Sequence, residues 1–421
     1  MTTRVLLSAS PHNAHLQNIA LAFFESGALG EYRTGGVDKA GSRRANLVSS
    51  ALSALSPRLT GKLARRRVTS VPGNMVVADW VWELPRLASI QLGFGPLVQD
   101  WIWERSERRL DARSARLVRS GNFDVFFGVE HGALASITAS REAGIPSVVG
   151  FLSPHHSARE KWVDVEYERF PELRVPSTKR ILELSPIRDA RRDAEARLAT
   201  AVHASSTFTA STLVAAGIPA ERIKVAALGC ASAIDESELP TVPPRSVTVV
   251  CVGAVSATKG THYLFDAWKR LRPGHGATLH VFGTNYLPRR GLPTADSSVV
   301  FHGRVGPAEL ERAYAGATVL VFPSLCDGFG MVVSEALAYG VPVITTTNAG
   351  AADLIEEGRN GFVVAPADAD ALAGRLEWCI SHPDELLAMR RLARASATNW
   401  TWRHFRDRLR ANLNEQLGLA L

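Results

Sequence analysis

Short apolar runs and helical patterns alternate along this chain in two series, divided by Glu236 to Ser246 (ESELPTVPPRS), which holds three prolines and no apolar periodicity. Alternation of this kind buries strands on both faces beneath helices, so the expected class is α/β with parallel sheets. The first series opens with a strand from Arg4 to Ser8 and a helical pattern through Leu16, Ile19, Ala20, Phe23 and Phe24 that stops at Gly27. Strands follow around FDVFFG (123 to 128), IPSVVGF (145 to 151) and AVHAS (201 to 205), with helices between and after them. The second series restarts at VTVVCV (247 to 252) and runs strand, helix, strand, strand, helix, strand, helix, strand as far as Thr345. Domain size then predicts two units, residues 1–235 and 247–399, joined by the linker 236–246. A last helical stretch, 400–421, is expected to pack back on the first unit.

The apolar runs fall well short of the roughly 20 residues needed to cross a bilayer. Val5-Leu6-Leu7 is too short for a secretion signal, so a cytoplasmic protein is expected. Cys230, Cys251, Cys326 and Cys379 form no C-x-x-C pair and no Cys/His cluster, which predicts reduced structural thiols and no metal site.

Two segments of the second series carry candidate chemistry. VVCVGAVSATK (249 to 259) puts Gly253 at a strand end and Lys259 just before a helix, where open α/β sheets bind ligands and helix N-termini favour phosphate. Neither a phosphate-loop signature nor a dinucleotide fingerprint is present. Between the strand near Val321 and the next helix, Asp327, Gly328-Phe329-Gly330 and Glu335 place two acids around a glycine pair. The glycines allow close backbone approach to anionic oxygens, and Glu335 has two oxygens for a ribose diol. By spacing alone, a tight turn and a surface acid explain the same residues equally well.

The stretch PSLCDGFGMVVSEALAYGVPVITTTNAGAADLIEEGRNGFVVAPAD, with VGAVSATKGTHYLFDAW upstream, resembles glycosyltransferase family 4, the retaining group 1 glycosyl transferases of GT-B fold. RRDAEARLATAVHASSTFTASTLVAAGIPAERIKVAALG is similar to that family's segment before the linker. The resemblance implies two Rossmann-like domains facing across a cleft, the second holding a nucleotide-diphosphate sugar and the first an acceptor. It implies transfer to an acceptor hydroxyl with retention, without a metal or cofactor, in polysaccharide or glycolipid synthesis. Lys259 then becomes the diphosphate cation, Glu335 the ribose acid, Asp327 the acid near the donor sugar, and Gly253, Gly328, Phe329 and Gly330 donor contacts. A histidine of the first domain contacts the donor sugar in this family; His155 or His156 is the first choice and His131 the second. His12 and His15 sit in the first strand-helix loop, where they would shape the acceptor site. Two departures stand out. Ala254 replaces an arginine, for which Arg289, Arg290 or Arg304 would compensate, and Asp327 replaces a glutamate one methylene longer. No general base is identifiable.

All of the net +7 lies before the linker, and Arg43 to Arg119 holds 14 basic against 6 acidic residues, interleaved with Trp80, Trp82, Trp101 and Trp103. This composition suits peripheral contact with an anionic membrane, although a solvated helix face over buried tryptophans explains it as well. Two other functions compete: an epimerase of UDP-sugars on the same fold, which needs no acceptor, and a basic nucleic-acid-binding protein, for which no motif is present.

Overall fold

The computed structural model describes residues 3–9, 13–36, 68–174, 176–230, 232–271, 276–419 and 421, with side chains of the helix beginning at residue 176 described from residue 186 onward. His12 and the arginines from Arg43 to Arg67 lie outside the described residues.

Two all-parallel sheets form the frame. The first has seven strands in the order β3-β2-β1-β4-β5-β6-β7 and the second six in the order β10-β9-β8-β11-β12-β13. In the first, β1 (Val5–Ser8), β4 (Val125–Val129), β5 (Ser147–Phe151) and β6 (Ala201–Ala204) are buried at every position, as strands covered on both faces must be. Their flanks are β2 (Leu29–Gly35), β3 (Val76–Asp79) and β7 (Ile223–Val225). The second sheet comprises β8 (Val247–Val252), β9 (Ala277–Phe282), β10 (Val299–Gly303), β11 (Val319–Phe322), β12 (Val343–Thr346) and β13 (Gly361–Val364). Strand order reverses between β1 and β4 and between β8 and β11. Ligands of such sheets bind outside the strand ends at these reversals.

Helices α1 (Ala14–Glu25), α2 (Glu83–Gln91), α3 (Pro96–Arg119), α4 (Leu134–Ala143), α5 (Pro176–Leu198) and α6 (Thr207–Ala215) belong to the first domain. The second has α7 (Thr261–Arg270), α8 (Pro307–Gly316), α9 (Met331–Ala338), α10 (Ala369–Ser381) and α11 (Pro383–Thr398). Asn13 starts α1 by accepting the Leu16 amide on its side chain, and Ser206 starts α6 by accepting that of Thr209. Helix α5 carries Pro186 inside it.

The final helix, α12 (Trp402–Leu417), crosses back to the first domain. Arg406 and Arg410 both reach Glu25 on α1, at 2.9 and 2.8 Å, and the Asn412 amide donates to the Val225 carbonyl at 2.9 Å. Phe405, Leu409 and Leu413 are buried beneath it.

Candidate active site

The Lys259 loop and the β11 end are tied together by backbone. The Leu325 amide donates to the Thr258 carbonyl at 3.0 Å, and the Ser324 hydroxyl donates to the same oxygen at 3.2 Å. Lys259 thereby meets Asp327: its ammonium pairs with one carboxylate oxygen, while the other accepts the Phe329 amide at 3.2 Å. The ammonium also lies 5.3 Å from the centre of the Phe322 ring. Asp327 is held on both sides of its own backbone, its amide donating to Asn348 and its carbonyl accepting from Gly350, each at 3.0 Å. An ammonium has three donors, so the pairing with Asp327 leaves Lys259 able to bind an anion as well.

Gly328 is one of the points where the two domains touch. A side chain here would meet the Leu152 carbonyl of the first domain at 1.8 Å, so only glycine fits. Its own carbonyl accepts from Ser205, Ser206 and Thr209 of the first domain at 3.1, 2.7 and 3.2 Å. Gly330, at φ 93°, turns the chain into α9, and no side chain caps that helix. Its first amides and positive dipole end are therefore available to an anion.

Facing this corner is a cavity of about 390 Å³ between the domains, lined by Gly253, Lys259, Phe322, Asp327, Phe329, Gly330 and Met331 of the second domain. The first domain contributes Asn13, His15, Leu152 and Leu228, and α12 contributes Trp402. The carboxylate of Glu335 accepts from Tyr314 at 2.7 Å one turn further along α9, and Glu335 does not line the cavity. The Tyr314 hydroxyl is pushed above its usual range by burial and then by this neighbouring carboxylate, so it stays a donor.

Neither His155 nor His156 lines that cavity. Both put Nε2 on Asp193, at 2.9 and 3.0 Å, and His156 Nδ1 also meets Glu160 at 3.1 Å. These three groups bring ligand atoms within 4.8 Å of one another. The Ser157 amide donates to His155 Nδ1, however, which keeps the proton on Nε2 as a donor to Asp193 and makes the trio a hydrogen-bonded clamp. His131 has a left-handed backbone at φ 75°, and burial lowers its pKa to about 4. Its amide donates to buried Glu195 at 2.7 Å, and its ring abuts Trp103. His15 does line the cavity and stacks on His203 at 5.9 Å, with both rings buried. Burial holds His15 well below its ordinary pKa and His203 at about 4, so both are neutral at pH 7.

None of Arg289, Arg290 and Arg304 lines the cavity. Arg159 and Arg192 of the first domain come close enough for their charge to act on the Cys326 thiol, next to Asp327, together with that of Lys259. Burial dominates there and raises the thiol to about 12, which keeps it protonated at pH 7. Leu152 and Trp402 escaped the sequence reading because apolar residues at a strand end and at a helix start carry no chemical signature. The hydroxyls of Ser205, Ser206 and Thr209 escaped it because only the closed fold shows what they hold.

Residues 246–382 match the family model for group 1 glycosyl transferases. The match covers about a third of the chain and falls within the second domain. A stretch of 138 residues is 31% identical to an uncharacterized glycosyltransferase, MJ1607 of Methanocaldococcus jannaschii, covering 32% of this chain and 35% of that protein. The sulfoquinovosyl transferase SQD2 of Arabidopsis thaliana is 31% identical over 125 residues, 29% of this chain and 24% of that one. The matches to both relatives thus span well under half of their lengths. Likeness in fold extends beyond the matched region to the whole chain. HepE of Anabaena, solved with UDP and glucose, superposes at TM-score 0.59 and 18% identity over 98% of this chain and 100% of that one. The lipopolysaccharide outer core galactosyltransferase WaaB superposes at 0.63 and 15% identity over 99% and 100%. The architecture is GT-B: two Rossmann-like domains, with the region that matches the family model in the second.

Proposed function

We propose that this protein transfers a glycosyl group from a nucleoside-diphosphate sugar to an acceptor hydroxyl. The observation that carries the reading is the Lys259–Asp327 pair beside the uncapped start of α9, at the mouth of a cavity that both domains line. A diphosphate seated against Lys259 and the α9 amides would leave with its charge met by fixed donors, the largest contribution to this class of catalysis. Asp327 holds the ammonium in place, and in this reading it would face the donor sugar. Glu335, fixed by Tyr314, has an oxygen left for the ribose.

Retention of configuration, membership of glycosyltransferase family 4 and independence of metal belong to the same proposal. Retention is supported by the match of residues 246–382 to the group 1 glycosyl transferases. The leaving phosphate would then take the acceptor proton. His15, neutral at pH 7 and facing the cavity, is better placed than His155 or His156 to meet substrate.

Proton NMR of the first-formed product tests the reading. An anomer matching that of the donor, formed equally with and without EDTA, is expected; an inverted product or a chelator-abolished reaction contradicts it. Turnover of a UDP-sugar to its epimer without acceptor would favour the epimerase instead.

A further inference from the structure

The arm of chain between β5 and α5 belongs to the first domain by sequence and to the second by packing. After Leu152 it makes one helical turn (His156–Arg159), a π turn (Glu160–Asp164) and a second helical turn (Val165–Arg169). Its near end is tied to α5, through His155 and His156 on Asp193 and through Arg159 on Asp189 at 3.2 Å. Its far end buries Val163, Tyr167 and Leu173 in the apolar cluster that also holds Val255, Ala257 and Leu325 of the second domain. Val255 and Ala257 come just before Lys259, and Leu325 just before Asp327, so the arm and both loops that carry the ion pair share one core.

One buried acid on the arm reaches across to the second domain. The Glu166 carboxylate accepts from His262 Nε2 at 2.9 Å and from the Tyr263 hydroxyl at 2.8 Å, and Arg169 donates to that hydroxyl at 3.4 Å. Burial pushes the Glu166 carboxyl up, but the bonds from His262 and Tyr263 outweigh it and hold the group below its ordinary pKa, so it is an anion at pH 7. Its two partners lie in the first turn of α7, which begins directly after Lys259 and Gly260. We propose that Glu166 is a positioning residue for Lys259: from the first domain it fixes the start of α7, so that the ammonium is set for a diphosphate only while the arm is docked. The proposal rests on the reading of Lys259 as the diphosphate cation. Apolar packing alone would join the domains equally well. A buried carboxylate is costly unless its oxygens are bonded, and what it adds is one allowed arrangement of its partners. Asp327 then holds the ammonium from the side-chain end, and Glu166 holds the backbone that carries it.

Hydrogen-exchange mass spectrometry of the full chain without ligand, paired with calorimetric titration of pyrophosphate, tests the proposal. Pyrophosphate stands for the diphosphate whatever base the donor carries. In Glu166→Gln, and in the milder Tyr263→Phe, amides of residues 256–264 should exchange about tenfold faster while those of β8 and β11 keep their wild-type rates, and pyrophosphate should bind about tenfold more weakly; this is the effect of losing one hydrogen bond to a charged group. Unchanged exchange over residues 256–264 overturns the proposal. So does equal acceleration throughout the second domain, because Glu166 then only joins the domains. A wild type that fails to bind pyrophosphate removes the diphosphate reading of Lys259 and the proposal with it, whereas variants that bind as tightly as a binding wild type remove the role of Glu166 alone.

Discussion

Lys259 and Asp327 are separated by 67 intervening residues and brought together by a few backbone bonds at the ends of β8 and β11. If Asp327 positions the ammonium, Asp327→Asn should weaken donor binding less than Lys259→Ala does, as isothermal titration with the preferred donor would measure. Gly328→Ala is the sharpest steric test. Its methyl has nowhere to go but into the Leu152 carbonyl, so the domains must part, and transfer should fall at least tenfold while each domain keeps its far-UV circular dichroism. His203 gives the pH prediction. Its folded pKa of about 4, set by burial, lies below the unfolded value, so the unfolded chain binds the extra proton. Stability is therefore intact above about pH 6.5 and falls as pH drops toward 4, by about 1.4 kcal/mol per unit for each such group. Glu195, raised by burial to about 7, works in the opposite direction over the same range. His203→Phe should flatten the acid side of a melting-temperature profile; an unchanged slope would show that His203 is not the group responsible.

At the scale of elements, α12 is the strap that closes the molecule, beginning after the second domain and ending on α1 and β7 of the first. Its hold is apolar. The Glu25 pairs with Arg406 and Arg410 are partly exposed and worth up to about 1 kcal/mol each, whereas Leu409 is fully buried. Leu409→Ala should cost about 2–5 kcal/mol in urea unfolding, and a loss below 1 kcal/mol would mean the strap is dispensable. The strands with continuous apolar runs, β4, β5, β8 and β11, were legible in the sequence because burial on both faces leaves no polar interruption. β2 and β3 were not: LGEYRTG and VVAD mix exposed and buried positions at the sheet's edge, where periodicity is weak. In the candidate site, the meeting of Lys259, Asp327, Gly328 and Gly330 at one corner was legible because backbone approach and fixed charge demand particular residue types. The histidines were not, because a histidine's identity says nothing about which way its ring points. His155 and His156 turn to Asp193, and the cavity receives His15 instead.

The whole molecule is seen closed. Three hydroxyls hold the Gly328 carbonyl, Thr207 bonds Asp353, and Glu166 accepts from His262 and Tyr263 at 2.9 and 2.8 Å. Removing two of these ties with Ser206→Ala and Glu166→Gln should raise the radius of gyration in small-angle scattering; an unchanged radius would place the closure elsewhere. The account rests most heavily on Lys259 as the cation that receives a donor diphosphate, and thermal unfolding against a panel of nucleoside diphosphates and their sugars reads this directly. Binding to the folded state alone contributes about 2.7 kcal/mol at a hundredfold excess over Kd. One base should raise the melting temperature of the wild type, and Lys259→Ala should abolish that rise while unfolding normally without ligand. An equal rise in Lys259→Ala, or no response of the wild type to any member of the panel, would contradict the account.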